Sequence, residues 1–147
     1  MNNKERLPHS HEAEEALIGA LLINDKIIDE VKVNIVPDDF YFNIHRYIYM
    51  AILFLHESET PIDPITVFNE LKKRGGIKIE TLYEISNGTP CVDNYMAYSD
   101  IVREKSILRT LIKLANEIVL DCCIGSKSSI QMLEEAEFKM KEIEKRS

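Results

Sequence analysis

A chain of 147 residues carrying 18 Lys+Arg against 25 Asp+Glu, net −7, has the length of about one domain and can bury a sizeable core. Its acidity excludes a general nucleic-acid binder, which needs a basic face to displace counterions from phosphates, although a local basic patch stays compatible with it. Cys91, Cys122 and Cys123 are odd in number and offer no CxxC pair, so a reducing compartment fits better than a disulfide scaffold.

The opening "MNNKER" is polar and leads to no signal-peptide core. The first helical signal lies in "LPHSHEAEEALIGALLI": Ser10 is placed to cap, and Glu12, Glu14 and Glu15 suit the positive end of the helix dipole. Ala16, Leu17, Ala20 and Leu21 follow at helical spacing. A short helix is expected over 25–33, with Asn24 as cap and Ile27, Ile28 and Val31 on one side. "VPDDFYF" is a turn. A strong helix over 44–57 repeats Ile44, Ile48, Ala51, Ile52 and Leu55 at spacings of three and four. Asp63 caps the next helix, with Pro64 at its first position, and Gly75-Gly76 stops it. A short helix over 80–86 closes the first part.

From about 94 to 123 there is neither proline nor glycine. Ile101, Leu108, Ile112, Ala115, Val119 and Cys122 form one apolar stripe, and Ile107, Leu111, Leu114 and Ile118 a second beside it. Gly125 ends this helix, and Ser128 with Gln131 makes a capping box for a last helix to about 145, with Leu133, Ala136, Met140 and Ile143 as its apolar seam. Two such helices joined by a short loop predict an antiparallel hairpin. The shorter partner covers only one stripe, over part of its length, so the remaining apolar surface predicts contact with a second subunit, with Leu108, Leu111, Ile112 and Ile118 as the self-association residues. The fold class is therefore all-α: a globular helical head over 1–90, then a long hairpin over 91–147.

Local chemistry is sparse. The five glycines make neither G-x-x-x-x-G-K-[ST] nor G-x-G-x-x-G, so no nucleotide cofactor and no ATPase activity are expected of this chain. No Glu-x-x-His pair precedes any of the four histidines, and no metal site is predicted; His9, His11 and Glu12 are the weak alternative. The longest apolar runs, "ALIGALLI" and "IYMAILFL", are too short to span a bilayer, which predicts a cytoplasmic protein with no membrane partner. "PITVFNELKKRGG" followed by "IKIETLYEIS" reads as helix, glycine turn, helix, with Lys72, Lys73, Arg74 and Lys78 nearby, so a stand-alone helix-turn-helix regulator is the alternative function. Glu80 and Glu84 on its second helix oppose that reading. A helical enzyme with an unrecognised site is the third.

The whole-chain pattern says more. "LPHSHEAEEALIGALL", "DDFYFNIHRYIY", "ETPIDPITVFNEL" and "NYMAYSDIVREKSILRTLIKLANEI", followed by "EEAEFKMKEIE", resemble in order the blocks of the N-terminal domain of the bacterial replicative DNA helicase, the DnaB family. The resemblance implies an all-helical head and hairpin that assemble into the collar of a hexamer, hairpins pairing subunits. It implies a C-terminal motor domain elsewhere, binding ATP, magnesium and DNA, so that this chain is expected to be a fragment without enzyme activity. Primase docks on such a collar, and in some systems a helicase loader acts on it. Tyrosine, arginine and methionine are enriched at interface cores, which points to Tyr98, Arg103 and Met140, with Ile143 beside them, as primase contacts. Glu12, at the start of the first helix, is a further partner-facing residue. The segment "GGIKIETLYEI" is shorter than its usual counterpart in the family, which puts the seat of the short helix at issue.

Overall fold

The computed structural model describes residues 7–147, so the polar "MNNKER" lies outside the described residues. Among the described residues every regular element is helical. They are α1 (His11–Ile23), α2 (Ile28–Asn34), α3 (Asn43–Glu57), α4 (Pro64–Lys72), α5 (Ile79–Asn87), α6 (Tyr95–Ile124) and α7 (Ser129–Glu144), with single 3-10 turns at Asp25–Ile27, Pro37–Asp39 and Val92–Asn94. The chain divides into two units, one of His9–Arg103 and one of Glu104–Ser147 with Leu7 and Pro8; the division falls inside α6.

Local chemistry sets most boundaries of the first unit. Ser10 Oγ accepts from Ala13 N at 3.1 Å, and Asn24 Oδ1 accepts from Lys26 N at 3.2 Å. Asp63 Oδ1 accepts from Ile65 N and Thr66 N, both at 2.9 Å, while the Thr66 hydroxyl takes the Asp63 N–H in return. Past α4, Gly76 N returns to Leu71 O, a closure that puts Gly75 and Gly76 in the left-handed region at φ 109° and 77°.

Helix α1 is the centre of that unit. Ala16 through Leu22 are all buried, because the helix packs on α3 along one side and α5 along the other. Its approach to α5 is close: a Cβ on Gly19 would collide with the Thr89 hydroxyl and sit 2.7 Å from Ile85 O. Despite the short segment after Gly76, α5 buries Leu82 and Ile85 in this core. Ile48, Ala51, Ile52 and Leu55 face inward as their spacing predicts, but Ile44, one turn earlier, is exposed, and the next residue, His45, is the one buried in the first turn of α3. The first turns of α6 add Val102, with Tyr95 and Tyr98 packed at its edge.

The second unit is an antiparallel hairpin. Asp121 and Glu135 share Lys127, at 3.4 and 2.9 Å. Four residues back on α6 and four forward on α7, Glu117 meets Lys139 at 3.4 Å. Gly125, at φ 72°, ends α6, and Ser128 with Gln131 forms the capping box of α7. Leu114 and Met132 are the buried apolar pair between the helices. The seam of α7 therefore differs from the one its sequence suggests. Met132, Ala136 and Ile143 turn inward or half inward, while Leu133 and Met140 are exposed. Two registers of apolar residues run along α7, and facing Leu114 selects the one that contains Met132.

Candidate functional site

Three hydrogen bonds converge on Glu14, a residue its sequence position marks only as a helix-start glutamate. It is 1% exposed. Its carboxylate accepts from Tyr41 N at 2.9 Å and Phe42 N at 3.3 Å, and bonds His45 Nδ1 at 2.9 Å. The two backbone donors lie just before α3, where a helix start leaves N–H groups without intrahelical acceptors. Glu14 thus supplies from α1 the acceptors that the Tyr41–Phe42 backbone lacks. His45, 2% exposed, is held in the first turn of α3 by the same carboxylate.

Around this pair lies a ring of polar and aromatic groups. His11 Nδ1 is 3.1 Å from Glu15 Oε2, one turn along α1. The His11 and His45 ring centroids are 5.2 Å apart, and Phe42 sets its edge against both. His9 stacks on Tyr41 at 4.4 Å. Of the His9, His11 and Glu12 alternative, only His11 enters the group of potential ligands that the fold assembles, which is His11, Glu15 and His45. Glu12 is exposed, one helical step from His11.

A second feature is apolar. A groove of about 470 Å³ between α3 and α4 is lined by Ile44, Tyr47, Met50, Leu71, Arg74 and Ile77. Sequence periodicity gave no sign of it, since Ile44 reads as core and Tyr47 and Met50 as the outer face. The basic residues beside it are partly committed: Lys73 and Arg74 reach Glu70 at 3.4 and 3.7 Å. Two of the four positive charges of the helix-turn-helix reading therefore share one carboxylate, that of Glu70 on α4.

The residues singled out for partners fall in both units. Tyr98 is half-buried at the head core, and Arg103 donates to Asn34 Oδ1 at 3.1 Å. Met140 is 51% exposed and Ile143 half-buried. Leu108, Leu111, Ile112 and Ile118 are all half-buried in the hairpin, Ile118 against α7. The hairpin also exposes Val119 (60%), Leu120 (62%) and Phe138 (66%).

The sequence profile of the DnaB-like helicase N-terminal domain matches residues 6–104. The chain belongs to this family. The DnaB-like match ends where the head unit ends, so it covers the Glu14–His45 node and the groove. Among DnaB relatives, the replicative DNA helicase DnaB of Haemophilus influenzae is 39% identical over 136 residues, which span 88% of this chain and 29% of that protein. The replicative DNA helicase DnaC of Bacillus subtilis is 36% identical over 145 residues, spanning 95% of this chain and 32% of that protein. The chain thus corresponds to about a third of the length of these helicases. The crystal structure of the N-terminal domain of DnaB helicase from Mycobacterium tuberculosis superposes with a TM-score of 0.85 at 28% identity, covering 91% of this chain and 98% of that one. The N-terminal domain of DnaB helicase from Helicobacter pylori, described with its interactions with primase, gives 0.71 at 30% identity, covering 83% and 98%. No described helix is long and apolar enough to cross a membrane.

Proposed function

We propose that this chain is the collar module of a hexameric replicative DNA helicase, an assembly and docking domain that acts in the cytoplasm during DNA replication. The observation that carries the reading is the apolar surface of the hairpin unit. Val119, Leu120 and Ile124 on α6, and Ile130, Leu133, Phe138 and Met140 on α7, are exposed. Soluble monomers rarely expose so much apolar surface, and two-fold pairing is the usual way to cover a self-complementary face. Leu108, Leu111, Ile112 and Ile118, half-buried along α6, are the residues assigned to the same pairing in this reading.

Light scattering of the purified chain tests it. A dimer is expected, and Leu120→Asp or Phe138→Asp, each placing a charge in the covered interface, should return a monomer. A wild-type chain that stays monomeric at high micromolar concentration would refute self-association through the hairpin.

Primase is the proposed partner, because the Helicobacter pylori relative is described with it. Tyr98, Arg103, Met140 and Ile143, with Glu12, are the assigned contacts, and a helicase loader is a further ligand of the same collar. Tyr98→Ala and Met140→Ala should each weaken binding of the cognate primase about tenfold, as anchor residues do. Wild-type affinity in both variants would remove the site assignment. ATP, magnesium and DNA belong in this reading to the motor domain of the parent protein. The isolated chain is accordingly proposed to have no ATPase activity and no cofactor for it, and turnover above background in a clean preparation would contradict this.

A further inference from the structure

We propose that His11, Glu15 and His45 form a binding site for one divalent transition metal of the zinc class, with a water molecule completing the coordination. Neither the family relationship nor the collar function assigns such a site. The three residues each bring a ligand atom within 4.8 Å of the other two, although His45 is thirty-four positions from His11 in sequence.

The geometry is that of a site that needs only a small closure. With metal–donor bonds of about 2.1 Å, two donors of a tetrahedral centre stand about 3.4 Å apart. His11 Nδ1 and Glu15 Oε2 are 3.1 Å apart, already at that bite. They are one helical turn apart on α1, a spacing that puts both side chains on one face. The His11 and His45 rings are tilted 52° to each other at 5.2 Å, close to the separation of two imidazoles sharing one tetrahedral ion. His11 and Glu15 have side chains 50% and 34% exposed, so they are free to draw in the remaining distance.

The immobile member is His45. Its Nδ1 is taken by Glu14 Oε1 at 2.9 Å, which leaves Nε2 as the ligand atom. A carboxylate on the far nitrogen of a metal-binding imidazole fixes the ring's orientation and tautomer, and this arrangement recurs in zinc proteins. Glu14 is itself anchored by two backbone N–H groups, so the supporting shell is rigid. Two imidazoles and one carboxylate favour zinc, cobalt or nickel over magnesium or calcium, which prefer all-oxygen sets. Three protein ligands leave one position open. Two of the three ligands, His11 and Glu15, line an open groove of about 230 Å³. The bound ion would tie the first turns of α1 and α3 together beside the Glu14 node.

The test uses the 147-residue chain with Cys91, Cys122 and Cys123 changed to serine, since these exposed thiols would bind zinc on their own. After EDTA treatment it is titrated with zinc chloride by calorimetry at neutral pH. One equivalent should bind with micromolar or tighter affinity and raise the thermal midpoint, while magnesium chloride gives neither effect. Cobalt(II) in place of zinc should show the intense visible bands of a tetrahedral centre. His11→Ala at an exposed position and Glu15→Gln at a half-buried one, both checked for native helicity, should each weaken zinc binding at least about tenfold. Absence of zinc binding by the cysteine-free chain, or wild-type affinity in both variants, would overturn the proposal.

Discussion

Replacing Glu14 by alanine strands three donors at once. Tyr41 N, Phe42 N and His45 Nδ1 converge on its carboxylate at 2.9, 3.3 and 2.9 Å. His45 is 2% exposed and cannot turn to water; the two backbone groups belong to half-buried residues. Each buried donor left without an acceptor costs about 1–3 kcal/mol. Taking the lower part of the range for the backbone groups, Glu14→Ala should destabilise the fold by about 3–5 kcal/mol, against a total of about 5–15 for a domain. At about 2–4 °C per kcal/mol for a chain of this size, the midpoint should fall by roughly 10 °C. Glu14→Gln keeps the volume and one carbonyl acceptor, but its amide NH₂ cannot accept from the remaining donors, so about half the loss is expected. Urea unfolding followed by circular dichroism measures both, with the m-value checked for constancy. A Glu14→Ala variant within about 1 kcal/mol of wild type would refute the reasoning, because the three bonds would then be no better than their solvated alternatives.

Gly19→Ala should also destabilise, by about 1–3 kcal/mol in the same urea assay, because the new methyl meets Thr89 and Ile85 O where α1 packs on α5; a stabilised variant, as helix propensity alone predicts, would show that the close approach is absent. Asp63→Ala should lose about 1 kcal/mol with the bonds to Ile65 N and Thr66 N, and Asp63→Asn should recover most of it. Tyr49 donates its hydroxyl to Ile35 O at 2.8 Å, and burial, with the Asp39 carboxylate adding to it, pushes its pKa well above the usual tyrosine range. Since an unfolded tyrosine ionises near pH ~10, its contribution to stability is complete below that pH and is lost above it. Absorbance titration should therefore show one tyrosine ionising only as the chain unfolds, and Tyr49→Phe should be less stable at neutral pH yet lose less between neutral and strongly alkaline pH.

The elements that the sequence determined by itself are those whose causes lie within four residues. Ser10, Asn24, Asp63 and Ser128 cap where their short polar side chains reach the next backbone N–H groups. Gly76 and Gly125 sit at helix ends where a positive φ excludes most other residues. Helical periodicity showed that α6 carries more apolar surface than one partner helix covers. It could not choose a seam for α7. Met132 and Leu133 are adjacent and both apolar, and only the register against Leu114, across the hairpin loop, buries one and exposes the other. The head site needed still longer reach. Glu12, Glu14 and Glu15 are alike as helix-start glutamates, yet one is exposed, one is buried under Tyr41, Phe42 and His45, and one faces His11. What separates them is their angular position on α1 relative to α3. That position is set by packing of the helices' apolar faces, a non-directional force whose outcome depends on every side chain in the core at once.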